Sequence, residues 1–451
     1  MLLLILFSYI IPFDSPIMDN IEYLQIKGLV DIPTIRPYEM EWFVSQIDEL
    51  LINDIEFNET DKKIISSFSP LLIKNEDFAY LIHTKGEYQR IPEYYCGFVD
   101  FSAGGQLTNN IRYAQAIRFQ YASEIDSFGP KPWNDFQTYL TEGLVKFNVG
   151  KIKFDIGRRN FLLGPGDEND LLLSLAPQGY DGFLLFIPGR YYEFYNIFSI
   201  LDASLNRYIS IHRLGLNIKG FLKLGFSEAI LFGGTLEPLY LNPFLPYYFA
   251  QWGIDKNDNI MWCFDLQVSL FNSIIYGEFL IDDYMYEDDP YPNKLAYKLG
   301  FKSLIFNNLL LKANYTRVDK WVYTHKISIN TYECNGYALG FPLGNDVDKL
   351  FFSAKFMNKY GLYPGLIIDY TRKGEGSIFL PYEQEGGDWN PPFPSGIVEK
   401  KLEVKFGVEY ILRHNFYIEA DVGKRYWTNY GHISGDDKDE MLFNISLWMV
   451  L

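Results

Sequence analysis

The residues best suited to chemistry lie in two short stretches. Residues 157–174, GRRNFLLGPGDENDLLLS, set two fixed cations, Arg158 and Arg159, beside a Gly-Pro-Gly that demands a sharp turn. A guanidinium presents a planar fork of donors, so a loop folded inward here could grip acidic or hydroxylated ligand groups. The same arginines could equally pair with Asp and Glu of the wall that carries them. Neither GxxxxGK[ST] nor GxGxxG occurs, so no phosphate loop is read. Residues 315–325, YTRVDKWVYTH, flank Tyr315, Trp321 and Tyr323 with Arg317, Asp319 and Lys320. Sugar rings stack their C–H faces on flat aromatics while their hydroxyls reach the polar groups. Arg158, Arg159, Tyr315, Arg317, Trp321 and Tyr323 are therefore the candidate ligand-binding residues, the second stretch suiting a sugar, although aromatics at a membrane interface would read the same way.

Catalysis is not written here. The acid pairs Asp282 and Asp283, Asp288 and Asp289, and Asp436 and Asp437 could serve glycoside hydrolysis only across a defined gap. Adjacent acids on a strand point to opposite faces. No Ser/His/Asp set stands out, and the five histidines form no HxxxH or HxH. The reading is of no enzyme, no metal and no cofactor. Cys96, Cys263 and Cys334 are an odd count without CxxC spacing, which argues against a disulfide scaffold.

The elements that must position these stretches are strands. Leu402, Val404, Phe406, Val408 and Tyr410 share one face, and Glu403, Lys405, Gly407 and Glu409 the other. The same alternation returns in Phe416, Ile418, Ala420 and Val422, and again in Phe443, Ile445, Leu447 and Met449. A soluble sandwich would turn the apolar faces inward, whereas a transmembrane barrel turns them outward to lipid. From about residue 78 to the end we read on the order of 16 to 20 such segments, a number suited to a mid-sized barrel. Tyr and Phe, 35 and 37 in number within an 18% aromatic chain, exceed what a soluble core needs and would supply two interfacial girdles.

Before residue 75 the period is helical. Ile17, Ile21 and Leu24 share a face before Gly28. A second stripe (Met40, Phe43, Val44, Ile47, Leu50, Leu51) follows Pro37, taken as a first-turn proline, and a third (Ile64, Ile65, Phe68, Leu71, Leu72) follows Asn58. The expected division is residues 1–13 as a signal peptide or its remnant, 14–75 as a helical bundle and 76–451 as an all-β barrel. Residues 284–293 and 381–395, rich in Pro, Gly, acids and aromatics, read as long loops, where binding tends to reside. The net charge of −17 argues against nucleic acid as a partner.

Several phrases, taken in order, resemble the Wzi-type capsule-assembly family of bacterial outer-membrane proteins. They are GLVDIPTIRPYE at 28–39, the GRRNFLLGPGDENDLLLS segment, YGEFLIDDY at 276–284, YTRVDKWVYTH, and YALGFPLGNDVDKL at 337–350. Together they extend over nearly the whole chain. The resemblance implies an outer-membrane barrel of about 18 antiparallel strands with a periplasmic helical bundle. It also implies a non-enzymatic, lectin-like role in holding or organising surface polysaccharide. The expected partners are that polysaccharide and outer-membrane lipid, with the chain a monomer. The other function the pattern allows is an outer-membrane porin or specific channel.

Overall fold

The computed structural model describes residues 17–52, 56–68, 78–89, 94–122, 132–166, 169–176, 179–285, 291–413 and 416–450. The leader read over residues 1–13, Leu71 and Leu72 lie outside them. Eighteen antiparallel strands form one sheet, from Phe78–Gln89 to Lys438–Val450, each barrel strand paired with the next in sequence. The first strand pairs with the last from Leu81↔Val450 to Tyr88↔Phe443. The sheet is thus a closed barrel with no free edge.

The period-two pattern decides which way the wall faces. Phe406 is 62% exposed and Ile445 55%, whereas Trp448 is 2% exposed. Leu402, Val408, Phe443 and Leu447 look outward with the first two; Glu403, Glu409, Tyr417 and Ser446 are buried on the luminal side. The apolar exterior and charged interior are those of a membrane barrel. No described helix is long and apolar enough to cross a membrane. At one end the strands join through tight turns such as Phe271-Asn272 and Phe306-Asn307, all four residues at positive φ, the twist a hairpin favours. At the other end the connections are long: 160–179, 233–258, 284–293, 319–346 and 374–398.

Three helices close the turn end: α1 (Ile17–Ile26), α2 (Met40–Ile52) and α3 (Glu59–Ser67). Gly28, at φ +70, ends α1 as read. Asn58 and Asp61 cap α3 reciprocally, each side chain accepting from the other's backbone N–H. The Tyr23 hydroxyl lies 2.8 Å from Asp61 Oδ1 and 2.9 Å from the Asn307 carbonyl, fixing α1 against a barrel turn. Ile21, Leu24, Phe43, Ile47 and Phe68 share one core with the luminal Tyr276, Tyr363, Tyr417 and Trp448.

Helix α2 starts at Met40, three residues later than the Pro37 reading. The reason is tertiary. Arg36 and Leu162 exchange backbone hydrogen bonds of 3.0 Å each way, and the Arg213 guanidinium donates to Thr34 Oγ1 at 2.9 Å. Residues 31–38 are thereby held as an extended segment within the lumen. The 160–176 segment enters from the opposite end to meet it. Its Gly-Pro-Gly turn rests on the wall: a Cβ at Gly164 would come within 2.9 Å of the Glu278 carboxyl, and one at Gly166 within 2.8 Å of Lys298 Nζ. A side chain at either position would displace those charged groups.

Candidate functional site

The luminal ends of the first candidate stretch are bound by ion pairs. Asp170 accepts from Gly164 N at 3.0 Å and lies 3.8 Å from the Arg36 guanidinium. Glu278 accepts from Leu171 N at 2.9 Å and from Lys298 at 3.0 Å. Arg158 and Arg159, adjacent on the strand Ile152–Arg159, point to opposite faces. Arg159 turns inward, buried against Asp155 and over the Phe161 ring. Arg158 turns outward and holds both Asp181 oxygens at 2.6 Å, with a third bond to the Leu140 carbonyl at 3.2 Å. The structure does not bring the two arginines together.

The second stretch also divides. Tyr315 and Arg317, on the strand Leu309–Val318, lie on the face opposite the luminal Lys312. The Tyr315 hydroxyl donates to Asp348 at 3.0 Å, and Arg317 pairs with Asp319 at 2.7 Å and covers the Phe393 ring. Trp321 and Tyr323 belong to the 319–346 connection and are buried. Tyr323 donates its hydroxyl to the Leu171 carbonyl at 2.6 Å, and its backbone N–H reaches Asp282 Oδ2 at 2.6 Å. Trp321 donates to Glu385 Oε2 at 2.7 Å and meets Tyr382 edge-on at 5.2 Å. Lys320 takes the other Glu385 oxygen at 2.6 Å, so one carboxylate latches the 374–398 loop to the 319–346 loop.

Directly in front of this latch the loop end opens into a cleft of about 510 Å³, a volume typical of small-ligand sites. Two aromatic pairs line it: Tyr248 with Trp262, ring centres 5.6 Å apart, and Tyr291 with Tyr382, 5.7 Å apart. Asp258, Asn259, Asp282, Asp283, Lys294 and Glu383 supply its polar groups. Burial lifts the Asp258 carboxyl above the usual aspartate range, opposed by the Tyr240 hydroxyl that bonds it at 2.8 Å. Burial depresses His325, also on the lining, below the ordinary histidine value. Rings beside hydrogen-bonding side chains form a surface able to hold a sugar. Among the described residues no cluster of His, Cys, Asp and Glu could hold a metal ion.

Sequence reading found half of this cleft. Residues 284–293 and 381–395 were singled out and contribute Tyr284, Tyr291, Tyr382 and Glu383. The Tyr248 and Trp262 wall was missed, although the aromatic run PFLPYYFAQW at 243–252 was a signal for it. Glu228 builds that wall. Its carboxylate accepts from Tyr247 N at 2.8 Å and Tyr248 N at 3.1 Å, at the start of the helix Tyr247–Gly253, and from Trp262 Nε1 at 3.0 Å. A charged acceptor at a helix start is favoured by the exposed N–H groups there. With His212 Nε2 at 2.9 Å, Glu228→Ala leaves four donors without their acceptor and should lower affinity for any cleft ligand at least about tenfold, at roughly 1 to 3 kcal/mol per lost charged bond; titration by tryptophan fluorescence checks it.

No protein-family model matches this chain, and no curated protein matches it. Solved structures do. Wzi, an outer membrane protein involved in group 1 capsule assembly in Escherichia coli and described as a carbohydrate-binding β-barrel, aligns over 98% of this chain and 99% of its own, with 13% identity and a TM-score of 0.67. OccD1 (OprD) aligns over 83% of this chain and 96% of its own, with 12% identity and a TM-score of 0.51. At these identities the likeness is one of fold. The resemblance read from the sequence and the resemblance of the structure point to the same architecture, an 18-stranded antiparallel β-barrel.

Proposed function

We propose that this chain binds and organises surface polysaccharide at the outer face of the outer membrane, in the manner of a lectin. Short turns face the periplasm and long loops face outward in such barrels, which supports a periplasmic position for α1–α3 and an outer one for the aromatic cleft. The cleft carries the reading: paired rings and hydrogen-bonding groups gathered from four separate loops, above a lumen that two inserted segments occupy. Trp321 and Tyr323 support it from behind, through Tyr382 and Asp282. Arg158, Tyr315 and Arg317, on the outward face, are engaged by Asp181, Asp348 and Asp319, and would meet a longer chain crossing the rim, or lipid head groups, only by exchanging those partners.

The test is saturable binding of the refolded chain, in detergent, to the purified surface polysaccharide of its own source cell. Trp321→Ala removes the ring that Tyr382 packs against and one bond of the Glu385 latch, and affinity is expected to fall about tenfold, equivalent to ~1.4 kcal/mol. An Arg158→Ala variant alongside reads the rim separately. Absence of saturable binding by the parent chain would sink the proposal.

A second reading, a narrow substrate channel, has one observation in its favour. The luminal pairs Arg118 with Asp100 and Lys349 with Asp369 keep solvent access, with Arg118 28% exposed and Lys349 16%. Large steady single-channel currents from the intact protein would favour it.

A further inference from the structure

The cleft is unevenly charged. Asp258, Asp282, Asp283 and Glu383 line it, against Lys294 and Lys326. Lys294 is already committed: it is buried, 2.9 Å from Asp283 and 3.2 Å from the Thr324 carbonyl, between two neighbouring carboxylates. Lys326 stands exposed on a flexible stem, where salt screens it. No arginine is among the described lining residues, so the fork that grips carboxylates two bonds at a time is missing. Asp283, nearly half exposed at 46%, and the exposed Glu383 present acceptor oxygens. An ionised carboxylate accepts and never donates, so the ligand face turned to this side must donate, through hydroxyls or an ammonium. The two ring pairs supply stacking surface, and an ammonium is further attracted to ring faces.

We propose that the cleft selects non-anionic sugar residues, preferring those with a free amine, and rejects uronates. This rests on the polysaccharide-binding reading and names the class of sugar that the site takes. The cavity holds a short segment of glycan, so the chosen residues need recur only at intervals along the chain.

The experiment uses the full chain in detergent micelles at about pH 6, where a sugar amine is charged. Three probes of matched length are titrated: oligoglucosamine, its N-acetylated counterpart and oligogalacturonate. Oligoglucosamine is expected to bind about tenfold tighter than the acetylated probe at low salt, an advantage that shrinks at high salt, with galacturonate weakest. Asp283→Asn, which keeps shape and removes charge, should erase the advantage of oligoglucosamine over the acetylated probe. Glu383→Gln, on an exposed loop where folding is not at stake, should move in the same direction. Equal or tighter binding of galacturonate, or equal affinities for all three, overturns the proposal. So does binding of the source polysaccharide with no probe binding, which leaves the lectin reading standing. If neither the source polysaccharide nor any probe binds, both fall together.

Discussion

Arg213→Met is expected to destabilise the folded barrel by about 3 to 5 kcal/mol, the cost of leaving one partner of a buried ion pair uncompensated. The guanidinium meets Asp265 through both of its terminal nitrogens, one of them at 2.9 Å, and also bonds Ser227 Oγ at 3.1 Å and Thr34 Oγ1 at 2.9 Å. The side chains of the pair are 2% and 1% exposed, so water cannot replace a lost partner. A Cβ on the facing Gly225 would come within 2.2 Å of both groups, so glycine there makes room for the pair. The measurement is the urea midpoint of reversible unfolding in micelles. The double variant Arg213→Met with Asp265→Leu should regain most of the loss, because removing both charges also removes their desolvation cost. A single variant within ~0.5 kcal/mol of the parent, the range of surface substitutions, would contradict the sealed pair.

The other large effect concerns the inserted N-terminal segment. Deleting residues 17–68 should convert a nearly silent protein into one with conductance steps at least about tenfold larger, and anion-selective, since rings of lysine favour anions. Asp19 faces Lys312 and Lys355, Glu22 faces Lys302 and Lys312, Asp31 faces Lys223, and Glu39 faces Lys146 and Lys153. The deletion removes every one of those four carboxylates and keeps the six lysines on the wall. Asp170 also loses Arg36, loosening the segment that enters from the loop end. Planar-bilayer recording in a salt gradient reads both the step size and the sign of the reversal potential. A cation-selective or silent variant would show that the helices do not obstruct the lumen.

What was legible in advance follows from the range of each interaction. Alternation along residues 402–449 is a local property of the chain, and it set which face meets lipid because one slip in register would reverse every side chain. Helices α1 and α3 announced their ends through Gly28 and Asn58, again within a few residues. The start of α2 was misplaced because the backbone at Arg36 is claimed by Leu162, more than a hundred residues away. The arginine pair shows the same limit. Sequence adjacency suggested joint action, but strand geometry sent Arg158 to Asp181 and Arg159 to Asp155. For the cleft, composition marked two of the contributing loops, while Tyr248 and Trp262 come together only through Glu228 on another strand.

The place where the two ends of the chain meet has a consequence for how this molecule is made. Tyr417 donates to the Ser67 carbonyl at 3.1 Å, and Trp448 shares a core with Ile17, Ile21 and Phe68. The N-terminal helices therefore find their burial site only when the C-terminal strands are in place. Contacts so distant in sequence form late, after the entropy of closing the intervening chain has been lost. The helices are the final piece to seat, entering a cylinder already closed by its first and last strands. Until then their apolar stripes stand in water, open to aggregation for as long as the wall is incomplete.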